Sequence, residues 1–272
     1  MPPRAAQADV DDFLHKWRGR WPEWRIAQSF LAADHRLRAE AWFALLQEFT
    51  DAAWGGADPT PGIAKLGWWQ EELRGWSKGA RRHPLGIALQ RVPAPWPALA
   101  VGLAGLQAAR GDVLEGRIDG VDAAAQHLRA CADAIAACER VLFADVEPST
   151  RESSQQVPSQ AVPSQQALPQ PSARDAESAS NHEPITTHGA FGLLALQTLW
   201  ASADAAERDT AARTQARAQR LLQAWTSPAA TRPRRVYDAL IRRRLRAVAR
   251  GGGLAPLSPW VALWAAWRAA RG

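Results

Sequence analysis

Cysteine is scarce in this chain, with Cys131 and Cys138 the only two, and that scarcity excludes a disulfide-stapled fold. Spaced seven apart, on one helix they would share a face with Cα atoms about 10 Å apart, too far to bridge. They read as buried free thiols of a reducing cytosol. No charged-then-apolar leader opens the chain, because Met1 to Asp12 is polar and Ala-rich. No uncharged apolar run reaches the ~20 residues of a spanning helix. The expectation is a soluble cytoplasmic protein, with contact at the inner face of a membrane left open. Strand-like alternation of useful length is missing. His15, His35, His83, His127, His182 and His188 show no metal-ligand spacing, and neither a Ser, His and Asp constellation nor a Gly-rich phosphate loop is apparent. Hydrolase and P-loop chemistries are set aside on that ground.

What is present favours helices. Ala, Leu, Arg and Gln dominate a chain of 272 residues, of which 47% are apolar, enough for a sizeable core. The pI near 10.3 exaggerates the charge, since 33 basic side chains face 27 acidic ones, an excess of 6. Much of the high pI comes from arginine outnumbering lysine.

The apolar periodicity predicts helices from near Asp9 to Trp21, from Glu23 to Trp54 with a break near Asp34, and from Pro61 to before Gly79. It predicts others over His83 to Gln90, Ala98 to Arg110 and Asp122 to Phe143. From Asp145 to about Thr187 the composition changes to Ser, Gln, Pro, Ala and Glu, with near-tandem VPSQA and VPSQQ units at Val157 and Val162. Such a segment cannot bury enough apolar surface to offset its ordering entropy and is expected to be a disordered insertion. Helical pattern resumes over His188 to Trp200, Ala205 to Trp225, Arg234 to Arg250 and Leu257 to Arg271. The expected organisation is therefore one helical bundle built from 1–144 and 188–272, interrupted by 145–187.

Ser29-Phe30, Arg36, the run ALLQEFTDAAW from Ala44 to Trp54, the cluster LGWWQEEL from Leu66 to Leu73, and His83-Pro84 fall in a distinctive order and spacing. Together they resemble the squalene/phytoene synthase family over residues 24–90, and more loosely over 98–144. The resemblance implies an all-α isoprenoid-synthase-like bundle around an apolar cavity. In active members two aspartate-rich helices hold Mg²⁺ ions that bind the diphosphates of two prenyl substrates, which then condense head to head. Mg²⁺ suits that task because it takes hard oxygen ligands in near-octahedral geometry. Carried over, the cavity residues would be Arg36, Glu48, Asp51, Trp68, Trp69, Glu72 and Gln197, with Glu48 and Asp51 as the metal carboxylates.

The chain departs from the family pattern where the chemistry sits. Thr50 stands at the first aspartate of the motif, Trp54 at the last and Gln47 at the arginine. At about 100° per residue, positions 50 and 54 share one stripe, where paired carboxylates would clasp a metal. The second motif is missing: after Gln197 neither the Asn nor the Arg-Asp pair follows in place, and GR-x-YLP is absent. Asp204, Glu207 and Asp209 could be read as a displaced metal site, although acids near a helix start more often serve as caps and solvated charge. A divergent, non-catalytic branch of the family shares the loss of the paired aspartates while keeping the arginine, the glutamate and the tryptophan pair. Two readings of this resemblance therefore stand side by side. In one, the chain is a degenerate synthase that binds an isoprenoid-type apolar ligand or serves assembly at a membrane surface. In the other, it is an active divergent synthase using Mg²⁺ and prenyl diphosphates.

Arg235, Arg242, Arg246 and Arg250 make a basic stripe opposite Val236, Leu240, Ala247 and Val248, which reads as a solvated face. Nucleic acid is a weaker third reading, because no recognised binding module accompanies the stripe. Trp260, Leu263, Trp264 and Trp267 share one face of the last helix at i, i+3, i+4 and i+7. Such a stripe is expected to face the core, with a membrane surface as the alternative. Trp68 and Trp69 are expected to pack in the bundle.

Overall fold

A computed structural model describes residues 4–56, 58–114, 121–144, 187–203, 208–225 and 229–272. These residues form helices α1 (Arg4–Arg20), α2 (Trp24–Ala27), α3 (Ala33–Trp54), α4 (Thr60–Trp76), α5 (Gly86–Leu89) and α6 (Trp96–Leu114). They continue with α7 (Val121–His127), α8 (Arg129–Leu142), α9 (Thr187–Ala203), α10 (Arg208–Ala224), α11 (Arg232–Ala249) and α12 (Pro259–Arg271). No strand occurs among the described residues, so the protein is all-α. The insertion expected over 145–187 lies outside the described residues apart from Thr187, which begins α9. The helices before and after it belong to one compact unit.

Local chemistry explains many of the boundaries. Asp58 accepts the Thr60 N–H (2.9 Å) at the start of α4, and Pro61, Pro233 and Pro259 sit in first turns where a missing N–H costs nothing. Gly79 follows α4 with a φ of +81°, a backbone state that other residues seldom adopt. The break expected near Asp34 lies slightly earlier, at a 3₁₀ turn over Gln28–Phe30. A second break, not expected, divides the long helix near Leu128 into α7 and α8.

The central element is α3. Every residue from Ala39 to Gln47 is buried, because α1, α4, α5, α6 and α9 surround the helix. Large rings fill its flanks. Phe43 stacks on Tyr237 of α11 at 4.1 Å, and Trp24 meets Phe43 edge-on at 5.4 Å. On the other side Phe49, Trp69, Trp76, Trp96 and Trp42 form a chain of contacts with ring centres 5.0 to 6.5 Å apart. Each indole removes a large apolar area from water, so these two aromatic nests fix the packing of the bundle. Elsewhere the helices approach closely. A Cβ on Gly102 of α6 would lie 3.0 Å from the Cα of Cys131 in α8, and one on Gly189 of α9 would lie 3.2 Å from Ala132. Both cysteines are buried and free. Burial pushes the Cys131 thiol up to about 12, so it stays protonated.

Candidate functional site

The last turns of α3 carry the residues on which the resemblance turns. Glu48 and Asp51 border a cavity of about 190 Å³ between α1 and α3, together with Phe13, Lys16, Trp17 and Arg20. Each carboxylate is already paired. Glu48 lies 2.6 Å from Lys65 Nζ on α4, and Asp51 accepts from Arg20 of α1 at 2.5 Å and from Gln47 Nε2 at 2.9 Å. Thr50 is buried and donates its hydroxyl back to the Gln47 carbonyl (2.9 Å). Trp54, at the remaining motif position, is half-buried against the core. Mg²⁺ would find two carboxylates held by cations, a hydroxyl bonded to its own helix and an indole. That donor set does not fit an ion that demands several hard oxygens around it. Among the described residues no three His, Cys, Asp or Glu side chains gather as a metal site.

The remaining family positions are not brought to this cavity. Arg36 is exposed and reaches the Leu31 carbonyl (3.3 Å), bracing the turn before α3. Gln197 is buried on α9, with its Oε1 lacking a hydrogen-bond partner. Asp204 and Glu207 lie outside the described residues, as does the side chain of Asp209.

Trp68, Trp69 and Glu72 belong to a separate constellation on α4. Trp69 is fully buried, against Phe49 and Trp76. Trp68 is half-buried and carries the Arg82 guanidinium over its ring at 5.3 Å. Glu72 is buried and accepts the backbone N–H groups of Arg82 (2.7 Å) and His83 (2.9 Å), the Trp76 indole N–H (2.9 Å) and Arg82 Nε (3.0 Å). Burial alone would raise its pKa, but these four donors outweigh it and hold the carboxyl below its usual range. Glu72 is thus the clasp of the loop after α4. α5, predicted from His83, starts at Gly86 because the residues before it close tighter i→i+3 turns, Gly86 N–H to the His83 carbonyl (3.0 Å) and Ile87 N–H to the Pro84 carbonyl (2.9 Å). Within the loop, His83 Nδ1 accepts the Leu85 N–H (3.2 Å). Its ring lies against Trp69 (4.6 Å) and Phe13 (4.9 Å). Burial, opposed by Glu72, pushes His83 down to about 4.

Sequence reasoning missed two buried ion pairs and a third nearer the surface. Arg244 of α11 meets Glu23 (2.6 and 2.8 Å) with both side chains buried, and also donates to the Arg20 carbonyl (2.8 Å). Arg234 donates to Glu139 of α8 (2.9 Å), which also accepts the Trp42 indole N–H (2.7 Å). Arg18 forms a two-pronged pair with Glu40 (2.6 and 2.7 Å). The signal for the first two was available: Arg234 and Arg244 fall on the same side of α11 as Tyr237, Ile241 and Val248, so each arginine interrupts an apolar face.

The last helix overturns one expectation outright. Trp260, Leu263, Trp264 and Trp267 do not face the core; they are exposed, Trp260 at 80%. Ala262, Ala265 and Ala266 are buried instead. The reason is steric: α12 lies on α11 and α2, and small side chains let helix backbones approach while indoles on that face would hold them apart. Between α11 and α12 lies a groove of about 400 Å³ lined by Arg235, Arg242, Arg243, Arg246 and Arg268, with Asp238 the one acidic side chain and Gly272 at its rim. The basic stripe of α11 is therefore the wall of a groove rather than a fully solvated face.

Fold and geometry together define an all-α protein with a small, cation-paired pocket on its central helix and an arginine-lined groove at its C-terminal edge. No protein-family model, curated protein or solved structure matches the chain.

Proposed function

We propose that this protein is a degenerate relative of the squalene/phytoene synthases, built on an isoprenoid-synthase-like bundle, that works by binding or assembly rather than by prenyl transfer. The observation that carries this reading is the state of Glu48 and Asp51: each is neutralised by a cation from a neighbouring helix, beside Thr50 and Trp54 where the family places aspartates. A second observation agrees. The cavity beside them, about 190 Å³, is smaller than the roughly 300 Å³ at which small-molecule pockets begin. Two prenyl chains need far more room. A ligand there would have to be short, or open the contact between α1 and α3.

The test is release of pyrophosphate from farnesyl or geranylgeranyl diphosphate by the purified chain in Mg²⁺. Release at the rate of the protein-free control is expected. Mg²⁺-dependent turnover would return the protein to the active branch of that family.

A further inference from the structure

We propose that the α11/α12 edge docks on the surface of an anionic phospholipid bilayer, with the arginine groove receiving lipid phosphates and the α12 tryptophans entering the interface. This does not rest on the degenerate-synthase reading, since an active enzyme could dock the same way. Vesicle binding and pyrophosphate release are also separate readouts.

Two features meet on this edge. The first is charge. Five guanidiniums line the groove against one acidic side chain, Asp238, which is buried and 3.8 Å from Arg234. Arg235 is partly committed to the carbonyls of Ala230 (2.9 Å) and Ala269 (3.3 Å). Arg243 and Arg246 are set for a ligand from outside: Arg246 is exposed, Arg243 half-exposed. Burial, and then the crowding of Arg243 and Arg250, lowers the Arg246 pKa. An anion in the groove would relieve that repulsion.

The second feature is apolar. Trp260, Leu263, Trp264 and Trp267 span about 100° of the α12 surface, and all are exposed. The charge and the rings are interleaved: Arg243 and Arg268 lie over the Trp264 ring at 5.2 and 5.4 Å, and Arg271 over Trp267 at 4.2 Å. Stacked in this way, a guanidinium stays close to an indole while its N–H groups remain available to phosphate.

Duplex nucleic acid would use the arginines but would leave a contiguous exposed indole face without a role. A single strand would need open ring faces to stack on, and Arg243, Arg268 and Arg271 already lie over the Trp264 and Trp267 rings. A second copy docked through a two-fold axis would bring two arginine grooves together, a like-charge contact. A bilayer surface presents phosphate beside hydrocarbon, which is where Trp and Arg settle together.

The test is co-sedimentation of the full chain with vesicles of phosphatidylcholine alone and of equimolar phosphatidylcholine and phosphatidylglycerol. Binding to the second and little to the first is expected. Arg243→Gln, Arg246→Gln and Arg268→Gln should each weaken it about fivefold. The double change Trp260→Ser and Trp264→Ser should weaken it by about tenfold. Circular dichroism and the thermal midpoint should show these variants folded, because the altered side chains are exposed or half-exposed. Equal binding to both vesicle types would overturn the proposal, as would binding indifferent to the arginine changes. Tighter binding to a random DNA duplex or to a random single strand would reassign the groove to nucleic acid. A lipid-free dimer abolished by Trp260→Ser would assign the face to a second copy, and either result ends the bilayer reading.

Discussion

Glu72 concentrates more local consequence than any other single side chain. It answers two backbone N–H groups that would otherwise stand unpaired in the loop after α4, and a buried donor without a partner costs about 1–3 kcal/mol. Glu72→Gln keeps the shape but loses the charge, so urea unfolding should show a destabilisation of about 1–3 kcal/mol. Beside it, His83 makes stability depend on acid. Its pKa in the fold is about 4 against 6.5 for the ordinary imidazole, so between those values the unfolded chain binds more protons. Stability should therefore fall as pH drops from about 6.5 towards 4. Glu72, whose folded pKa is lowered, adds a loss of the same sign below its unfolded value. Unfolding curves of His83→Gln should be flatter than wild type over the histidine's window. An unchanged slope would mean that His83 is solvated in the fold.

At the scale of elements, α8 is held between α6 and α9 by two glycines. Gly102→Val would push a branched side chain into the backbone of Cys131 and the Ala130 carbonyl, 3.0 and 3.3 Å from the new Cβ. The expected cost is about 1–3 kcal/mol, read from the unfolding midpoint. Several helices were legible in the sequence because local chemistry ends them: Pro61 and Gly79 around α4, Pro233 and the Gly251–Gly253 run around α11. Others were not, for reasons that lie in distant residues. The pattern beginning at His83 looked helical, but the His83 and Pro84 carbonyls accept in i→i+3 turns and the α-helix starts only at Gly86. For α12 the periodicity was legible and the direction was not. A stripe of indoles reads the same whether it meets a core or an outside surface, and the choice was made by the alanines that fit against α11 and α2.

Over the whole molecule, the ends of the chain are tied by charge as well as by packing. Glu23 and Arg244, 221 residues apart, form a buried pair that fastens α11 to the turn after α1. Removing one partner strands the other, so Arg244→Met should cost about 3–5 kcal/mol in chemical denaturation. Adding Glu23→Leu to that variant should recover part of the loss. Only half of the pair is announced locally: Arg244 interrupts the apolar face of α11, whereas Glu23, far away in sequence, reads as ordinary surface charge. The candidate site was legible to a similar extent. Thr50 and Trp54, at positions where the resemblance would place aspartates, were visible in the sequence, whereas the cations facing Glu48 and Asp51 come from α4 and α1 and appear only when the helices pack.

The central proposal, that Glu48 and Asp51 support no Mg²⁺-dependent prenyl transfer, meets its most direct test in pyrophosphate release by the wild-type chain and by Asp51→Asn. Both are assayed in Mg²⁺ with farnesyl and geranylgeranyl diphosphate. The account predicts that neither protein exceeds the protein-free control, because Asp51 is committed to Arg20 and Gln47. Mg²⁺-dependent release by the wild type that disappears in Asp51→Asn would contradict it.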